Sequence, residues 1–128
     1  NVALRELLLN GQQPDFLERI AAVIEERAVA QAVRAIPYIR EAEVRSTGYA
    51  LHTMQTALWS LTHYPTFEAA VIAAVNFGDD ADTSGAVAGA LAGAREGAGA
   101  IPERWLGVLQ PREELRALAR GLHQQTVD

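Results

Sequence analysis

The chain has 128 residues, of which 49% are apolar and 21% charged, and its formal net charge is −5. This length suffices for one domain with a hydrophobic core, and the composition shows no signature of disorder. The negative charge, without a stripe of Lys and Arg, argues against binding to nucleic-acid phosphates, and the lack of cysteine excludes disulfides and thiolate metal sites.

The chain contains no recognisable signal peptide and no run of about 20 apolar residues that would span a membrane. We therefore expect a soluble cytoplasmic protein that makes no membrane contact. The chain begins at Asn1, without an initiator Met and already in a helical pattern, which favours a processed, cleaved or truncated polypeptide.

The N-terminal third predicts two helices followed by a loop. The first helix has a short apolar stripe formed by Leu4, Leu7 and Leu8. Gly11 ends that helix, and a longer one opens at Pro14 and Asp15 and extends to Pro37, which breaks it or begins a new turn. The apolar face of the longer helix is expected to hold Phe16, Leu17, Ile20, Ile24, Ala28 and Ala32. Residues 41–48 are typical of a loop, and no segment alternates in the manner of a strand.

The next helix is predicted from about Tyr49 to His63. Its expected buried face consists of Leu51, Met54, Leu58 and Leu61. Trp59 and His52 lie on a different side, which in an isolated domain indicates partly exposed surface. We interpret His52 as a hydrogen-bonded structural histidine, because no partner carboxylate lies at helical spacing to make it catalytic.

Residues 67–77 form a helix that is apolar on almost every side and is therefore predicted to be buried at the centre of the fold. Thr66 is its expected N-cap. The helix that follows has a glycine at every fourth residue from Gly85 to Gly93. Because each glycine costs about 1 kcal/mol of helix propensity, we expect another helix to pack closely against this face.

The last part of the chain predicts two further helices. Gly97 ends the glycine-rich helix, and Pro102 lies near the first turn of a short helix. The residues expected to dock this short helix to the core are Trp105, Leu106 and Leu109. The apolar stripe of the final helix consists of Leu115, Leu118 and Leu122. Residues 124–128 are expected to fray.

An acidic segment lies between the apolar and glycine-rich helices. Residues 76–85 read Asn-Phe-Gly-Asp-Asp-Ala-Asp-Thr-Ser-Gly, with three carboxylates within four residues. Like charges this close repel unless a cation sits among them, and Mg²⁺ takes Asp and Thr oxygens as ligands. The alternative is a solvated turn whose Asp residues cap the next helix. We expect the buried helix of residues 67–77 to place Gly78, Asp79 and Asp80 in the interior, where unpaired carboxylates would be costly, and this favours the metal site.

Three separated blocks in this order resemble the ADP-ribosylglycohydrolase family, which includes dinitrogenase reductase-activating glycohydrolase. Residues 76–94 resemble its C-terminal metal motif. The other blocks are Gly48-Tyr49 with Thr53-Met54 and Ala57-Leu58-Trp59 upstream, and Ile101-Pro102-Glu103-Arg104-Trp105 downstream. The resemblance covers about residues 46–122.

The resemblance implies an all-α fold, a compact orthogonal helical bundle of which this chain is the C-terminal part. It also implies two divalent metal ions, Mg²⁺ or Mn²⁺, in the complete site. The metal ligands implied in this chain are Asp80, Asp82 and Thr83. Asp79 is given a supporting role.

The resemblance further implies hydrolysis of the glycosidic bond in an ADP-ribosylated protein, with ADP-ribose as the other bound species. Gly48 and Tyr49 are expected to be substrate-loop residues, because the family has this helix entry close to its active-site cleft. The family takes the other half of its metal site from an N-terminal Thr-Asp-Asp motif near a Gly-Asp-Ala segment, and neither run occurs in this chain. The residue that assists the leaving group would also come from elsewhere, so no catalytic residue is assigned.

We therefore predict that residues 1–128 form a single all-helical domain, the C-terminal segment of a longer ADP-ribosylglycohydrolase domain. The leading hypothesis is a metal-dependent hydrolase segment whose site is completed by an N-terminal segment or by self-association. The alternative is a non-catalytic helical fragment or degenerate relative that binds a partner chain through exposed apolar surface. An upstream Thr-Asp-Asp segment in the intact gene would favour the enzyme.

Overall fold

The computed structural model describes residues 1–125, and helices account for all of the regular structure in that range. The helices are α1 (Val2–Asn10), α2 (Phe16–Ala22), α3 (Arg27–Ala35), α4 (Ala50–His63), α5 (Phe67–Asn76), α6 (Ala81–Glu96), α7 (Glu103–Leu106) and α8 (Arg112–Gln125). Short 3₁₀ turns occur at Ile36–Tyr38, Glu41–Glu43 and Ala98–Ala100. The predicted all-α fold class is confirmed. None of the helices described here is both long and apolar enough to cross a membrane.

Helices α4, α5 and α6 pack against one another, and α4 and α6 lie at the centre of the molecule. Helix α1 lies against α6, and α3 packs on α4 while α2 pairs with α3. One continuous apolar cluster joins these helices, and its largest fully buried apolar side chains are Ile20, Val33, Ile36 and Leu61. Burying a side chain of this size contributes about 1.5–3 kcal/mol, so this cluster is the main source of stability.

The segment predicted as one long helix is two helices, α2 and α3. Glu26 interrupts it with an extended backbone, and its carboxylate accepts a hydrogen bond of 3.3 Å from the N–H of Ala28. This bond caps the N-terminus of α3 and lets α3 fold back on α2. Because α2 and α3 are separate helices, the residues that face the core do not follow one continuous helical period across the break. Ala30 and Val33 are therefore buried, whereas the predicted Ala28 is exposed and Ala32 only half-buried.

Helix α4 is covered on more than one side, which corrects its predicted orientation. Leu58 and Leu61 are buried as expected, but Leu51 and Met54 are only half-buried. Trp59, which we expected to be partly exposed, is only 4% exposed. Its indole N–H donates to the carbonyl of Ile39 at 2.9 Å, and Phe77 meets its ring edge-on at 5.5 Å. The loop before α4 and the end of α5 thus cover the second face.

Helix α5 is not the buried central helix that its composition predicted. It buries only Phe67, Ala70 and Ala74, and it leaves Ile72 and Val75 each 41% exposed. Its buried side lies on α4 and α6, and α7 meets its first turn, where Trp105 lies beside Phe67 and Arg104 pairs with Glu68. Apolar composition alone therefore did not determine burial here.

The predicted packing against the glycine face of α6 is confirmed, and α5 is the helix that packs there. A Cβ at Gly85 would lie 2.8 Å from the side chain of Val75, and a Cβ at Gly89 would lie 3.8 Å from that of Val71. Gly93 faces Phe67 in the same way. The missing side chains thus let the two helices approach closely.

The end of α6 also joins α4 to α5. The guanidinium of Arg95 donates to the carbonyls of Leu61 and Tyr64, at 2.6 and 3.1 Å, at the C-terminus of α4. The carboxylate of Glu96 accepts the N–H of Phe67 at 2.9 Å, at the N-terminus of α5. Thr66 caps α5 as predicted, with its hydroxyl oxygen 3.2 Å from the N–H of Ala69. Groups that helix ends leave unpaired are thereby satisfied.

The apolar stripes at the two ends of the chain are less buried than predicted. Trp105 docks α7 to the core beside Phe67, whereas Leu109 is exposed. In the first helix Leu7 is buried but Leu8 is exposed. The stripe of α8 is exposed at all three predicted positions, Leu115, Leu118 and Leu122. Helix α8 continues through Gln125, and residues 126–128, which we expected to fray, lie outside the described part of the chain.

Candidate functional site

The acidic motif forms the turn between α5 and α6. Gly78 and Asp79 both adopt left-handed backbone conformations, with φ angles of 74° and 53°. Such conformations favour glycine and are tolerated by aspartate, which explains this residue order. Asp80 follows at the N-cap position of α6, and its N–H donates to the carbonyl of Ser46 at 2.8 Å. The turn therefore lies directly against the loop that precedes α4.

The carboxylate of Asp80 lies between two other predicted site residues. Its Oδ1 accepts the hydroxyl of Thr83 at 2.9 Å. Its Oδ2 lies beside Gly48, where an added Cβ would be 3.6 Å away. A capping aspartate would accept a hydrogen bond from a backbone N–H group in the first turn of α6. The side chain of Asp80 accepts none. Asp80 thus occupies the N-cap position without acting as a side-chain cap.

The carboxylates are not delivered to the interior, contrary to our prediction. Asp79, Asp82 and Thr83 are exposed, and Asp80 is half-buried. The reason is that α5, which leads into the motif, is itself covered on one side only. The desolvation cost that favoured a cation in the sequence therefore does not apply to these side chains in this structure.

The oxygen atoms of this motif suit a divalent cation in chemical type. Carboxylate and hydroxyl oxygens are the ligands that Mg²⁺ and Mn²⁺ prefer, and Asp80 is the N-cap residue of α6 while Asp82 and Thr83 lie in its first turn. Nowhere in residues 1–125 do three or more Asp, Glu, His or Cys side chains converge to hold a metal ion. The residues present therefore fit part of a coordination shell of about six oxygens, and further ligands must complete it.

The predicted substrate-loop residues lie next to this motif. Gly48 adjoins Asp80, and Tyr49 is the exposed N-cap residue of α4. The ring of Tyr49 meets that of His52 edge-on at 5.2 Å. His52 Nδ1 lies 2.7 Å from the hydroxyl oxygen of Thr47, as expected for a hydrogen-bonded structural histidine. Gly48, Asp80 and Thr83 thus form one surface site, with Tyr49 at its edge.

Two serines beneath this site were missed by the sequence analysis. The hydroxyl oxygens of Ser46 and Ser84 lie 2.7 Å apart, and both side chains are buried. Each serine adjoins one of the motifs already singled out. Their contact joins positions 38 residues apart, however, so no helical or strand spacing would reveal it.

An apolar groove of about 760 Å³ borders the site between α1, α4 and α6. Gly48 and Thr83 lie in its lining, but Asp80 and Asp82 do not. Apolar side chains form most of its walls, including Leu4, Met54 and Leu91. Such walls suit another apolar surface better than a charged diphosphate, so we do not assign the groove to a nucleotide ligand.

Comparison with known proteins gives a match along the whole chain: the sequence model of the ADP-ribosylglycohydrolase family covers residues 1–128. The ADP-ribosylarginine hydrolase Tri1 of Serratia proteamaculans is 40% identical over 80 residues, which are 62% of this chain and 22% of the relative. Tri1 of Pseudomonas putida is 34% identical over 110 residues, 77% of this chain and 30% of the relative.

A third relative is the ADP-ribosyl-[dinitrogen reductase] glycohydrolase of Rhodospirillum rubrum. It is 46% identical over 70 residues, which are 55% of this chain and 24% of the relative. The chain thus spans less than a third of the length of each of these three relatives. No solved structure gives a significant match.

Proposed function

This chain belongs to the ADP-ribosylglycohydrolase family, and we propose that it supplies part of a metal-dependent site that hydrolyses the bond between ADP-ribose and a protein side chain. The observation that carries the proposal is the position of the Asp80 carboxylate between the Thr83 hydroxyl and Gly48. This juxtaposition brings together two motifs that are far apart in the sequence. Relatives named as hydrolases of ADP-ribosylarginine and of ADP-ribosylated dinitrogen reductase support the substrate class.

We assign Asp80, Asp82 and Thr83 as the ligands that this chain offers to two divalent cations, Mg²⁺ or Mn²⁺. Cations bound there would orient the ribose hydroxyls and position the attacking water. The backbone bond from Asp80 to Ser46 fixes the start of the ligand turn. The hydroxyl of Thr83 uses its hydrogen to bind Asp80, so its oxygen lone pairs remain available to a cation.

Gly48 and Tyr49 form the substrate side of the proposed site. Because Gly48 has no side chain, Asp80 Oδ2 stays uncovered in that direction. The exposed ring of Tyr49 offers a flat apolar face and a hydroxyl to the substrate. We assign no general acid to this chain.

The metal assignment is tested by Asp80→Ala and Asp82→Ala. In the complete enzyme, with the N-terminal half of the site present, each variant should lose Mn²⁺ binding in calorimetry, because each removes an anionic ligand, while circular dichroism should show an unchanged helical fold. Asp15→Ala is the matched control, since Asp15 is also an N-cap aspartate without a side-chain cap bond and lies at α2. Mn²⁺ affinity equal to that of the parent in either site variant would reject the ligand assignment.

The hydrolytic activity is tested with an arginine-ADP-ribosylated protein as substrate. We expect this chain alone to bind Mn²⁺ weakly and to release no ADP-ribose, because catalysis needs fixed geometry and a misplacement of about 1 Å can cost about a hundredfold in rate. Fusion to the preceding part of Pseudomonas putida Tri1 should raise metal affinity and hydrolysis together. Full turnover by this chain alone, abolished by Asp82→Ala, would instead show that its site is complete.

A non-catalytic interaction domain is the second candidate, favoured by the exposed leucines of α8. Leu115, Leu118 and Leu122 form an apolar stripe on that helix. This alternative predicts a concentration-dependent assembly in light scattering that Leu118→Glu disrupts. It also predicts that the fused protein releases no ADP-ribose. A monomeric chain whose fusion is active would reject it.

A further inference from the structure

We propose that the buried Ser46–Ser84 pair is a positioning clamp, which holds the loop of residues 46–49 at a fixed distance from the first turn of α6. Neither serine is assigned as a metal ligand or a catalytic residue. The inference rests on the proposed function, because it concerns how the substrate side of that site is held against the metal side.

The clamp is part of a closed ring of hydrogen bonds among three residues. The N–H of Asp80 donates to the carbonyl of Ser46 at 2.8 Å, and the hydroxyls of Ser46 and Ser84 lie 2.7 Å apart. The N–H of Ser84 then donates to the carbonyl of Asp80 at 3.1 Å. Both backbone and side-chain groups of Ser46 therefore bind the ligand turn, two residues before Gly48.

Burial makes this ring sensitive to the loss of either hydroxyl. Ser84 is fully buried and Ser46 is 4% exposed, so a hydroxyl left without its partner cannot turn to bulk water. Removing one member of a buried pair is costly, whereas replacing both by apolar groups can be nearly neutral. Because an apolar pair can be nearly as stable, stability alone does not account for the hydroxyl pair, and we attribute the pair to the loop position that it fixes.

The position of the loop of residues 46–49 relative to α6 matters because Gly48 adjoins Asp80 Oδ2. A loop that shifts relative to α6 changes the space between the substrate-loop glycine and the carboxylate. Small displacements of this kind have large effects in sites that depend on fixed geometry. Ser46 and Ser84 therefore act through Asp80 and Gly48.

The test compares Ser46→Ala, Ser84→Ala and the double variant Ser46→Ala/Ser84→Ala with the parent chain. The melting temperature, the hydrogen-exchange rate of the Asp80 amide and the Mn²⁺ affinity are measured for each. Ser60→Ala is the matched control, because Ser60 is also a fully buried serine and its hydroxyl has no hydrogen-bond partner in the structure. Ser84→Cys, which keeps a weak donor in a similar volume, serves if the double variant does not fold.

The single variants should lower the melting temperature, and the double variant should recover most of that loss. In the double variant the Asp80 amide should nevertheless exchange about tenfold faster, and Mn²⁺ affinity should fall by about tenfold. A role in stability alone would leave both values at the parent level once the melting temperature recovers, and that result would overturn the clamp. Ser60→Ala should change neither the exchange rate of the Asp80 amide nor the Mn²⁺ affinity.

Failure of the proposed function gives a different pattern. If the parent chain and its fusion to the preceding part of the relative bind no Mn²⁺, the metal assignment is wrong. The exchange rate of the Asp80 amide, which can be measured without metal, then tests the clamp proposal. Unchanged exchange in the double variant, or in Ser84→Cys if that variant replaces it, rejects the clamp, and faster exchange supports it.

Discussion

Helices α4 and α5 differ in a way that their composition would not suggest. Helix α5 is the more apolar of the two, yet it leaves Ile72 and Val75 each 41% exposed. Helix α4 carries hydroxyl groups along its length, yet Thr56 and Ser60 are fully buried in it. The difference arises because α4 lies among α3, α5 and α6, whereas α5 packs on α4 and α6 and meets α7 at its first turn.

Thr56 and Trp59 can be buried in α4 because carbonyl groups of the preceding segment accept hydrogen bonds from their side chains. The hydroxyl of Thr56 donates to the carbonyl of Arg45 at 2.8 Å, and the indole of Trp59 donates to Ile39. A buried polar group is tolerated when it is hydrogen-bonded. The number of neighbours around a helix, and the partners they offer, thus decide which residues are buried.

The sharpest test of this comparison replaces one large side chain from each helix. Trp59→Ala should reduce the free energy of unfolding by about 3–5 kcal/mol, because it opens a cavity and removes a buried hydrogen bond. Ile72→Ala, on the outer side of α5, should cost about 1 kcal/mol or less, since that side chain already contacts water. Urea denaturation measures both. Equal losses would show that α5 is covered in solution.

The second test concerns the inner side of α5, where it meets the glycine face of α6. Gly89→Leu should destabilise the protein by about 1–3 kcal/mol, because the side chain must fit between two closely packed helices. Gly121→Leu in α8 is the control, since open space surrounds Gly121. It should raise helix stability by up to about 1 kcal/mol. An unchanged melting temperature for Gly89→Leu would mean that the glycine face is open to solvent.

The smallest expected effect on stability concerns the exposed ion pair between Glu18 of α2 and Arg34 of α3. Hydrogen bonds from the Arg34 guanidinium hold the pKa of Glu18 below its ordinary value of 4.5. Because this pKa is lower in the folded state, the pair contributes stability above pH 4.5, and that contribution is lost as pH falls through the folded pKa. Exposed pairs contribute little, so this effect should be small beside the buried substitutions.

Melting curves of the parent and Glu18→Gln measure this contribution. The difference in their melting temperatures should be largest near pH 7 and should shrink as the pH falls below 4.5. Glu25→Gln is the control, because the described residues show no ion pair for Glu25. A difference that grows on acidification would contradict the assigned direction of the Glu18 pKa.

Much of the candidate site followed from the sequence, but its surroundings did not. The sequence correctly placed the acidic segment between α5 and α6, and Asp82 and Thr83 lie in the first turn of α6. Its burial was predicted wrongly, because the sequence alone did not show that α5 is covered on one side. The contacts of Asp80 with Ser46 and Gly48 depend on where the loop before α4 lies, and no local spacing encodes that position.

The sequence by itself determined most helices and several of their boundaries, such as the Thr66 cap of α5 and the Gly97 end of α6. These features arise from hydrogen bonds and backbone preferences within a few residues, so they can be read locally. Only the tertiary structure decided that Trp59 is buried, that Ile72 is exposed and that two distant serines meet beneath the acidic turn. Those outcomes depend on which segments pack around each side chain, and these segments lie far apart along the chain.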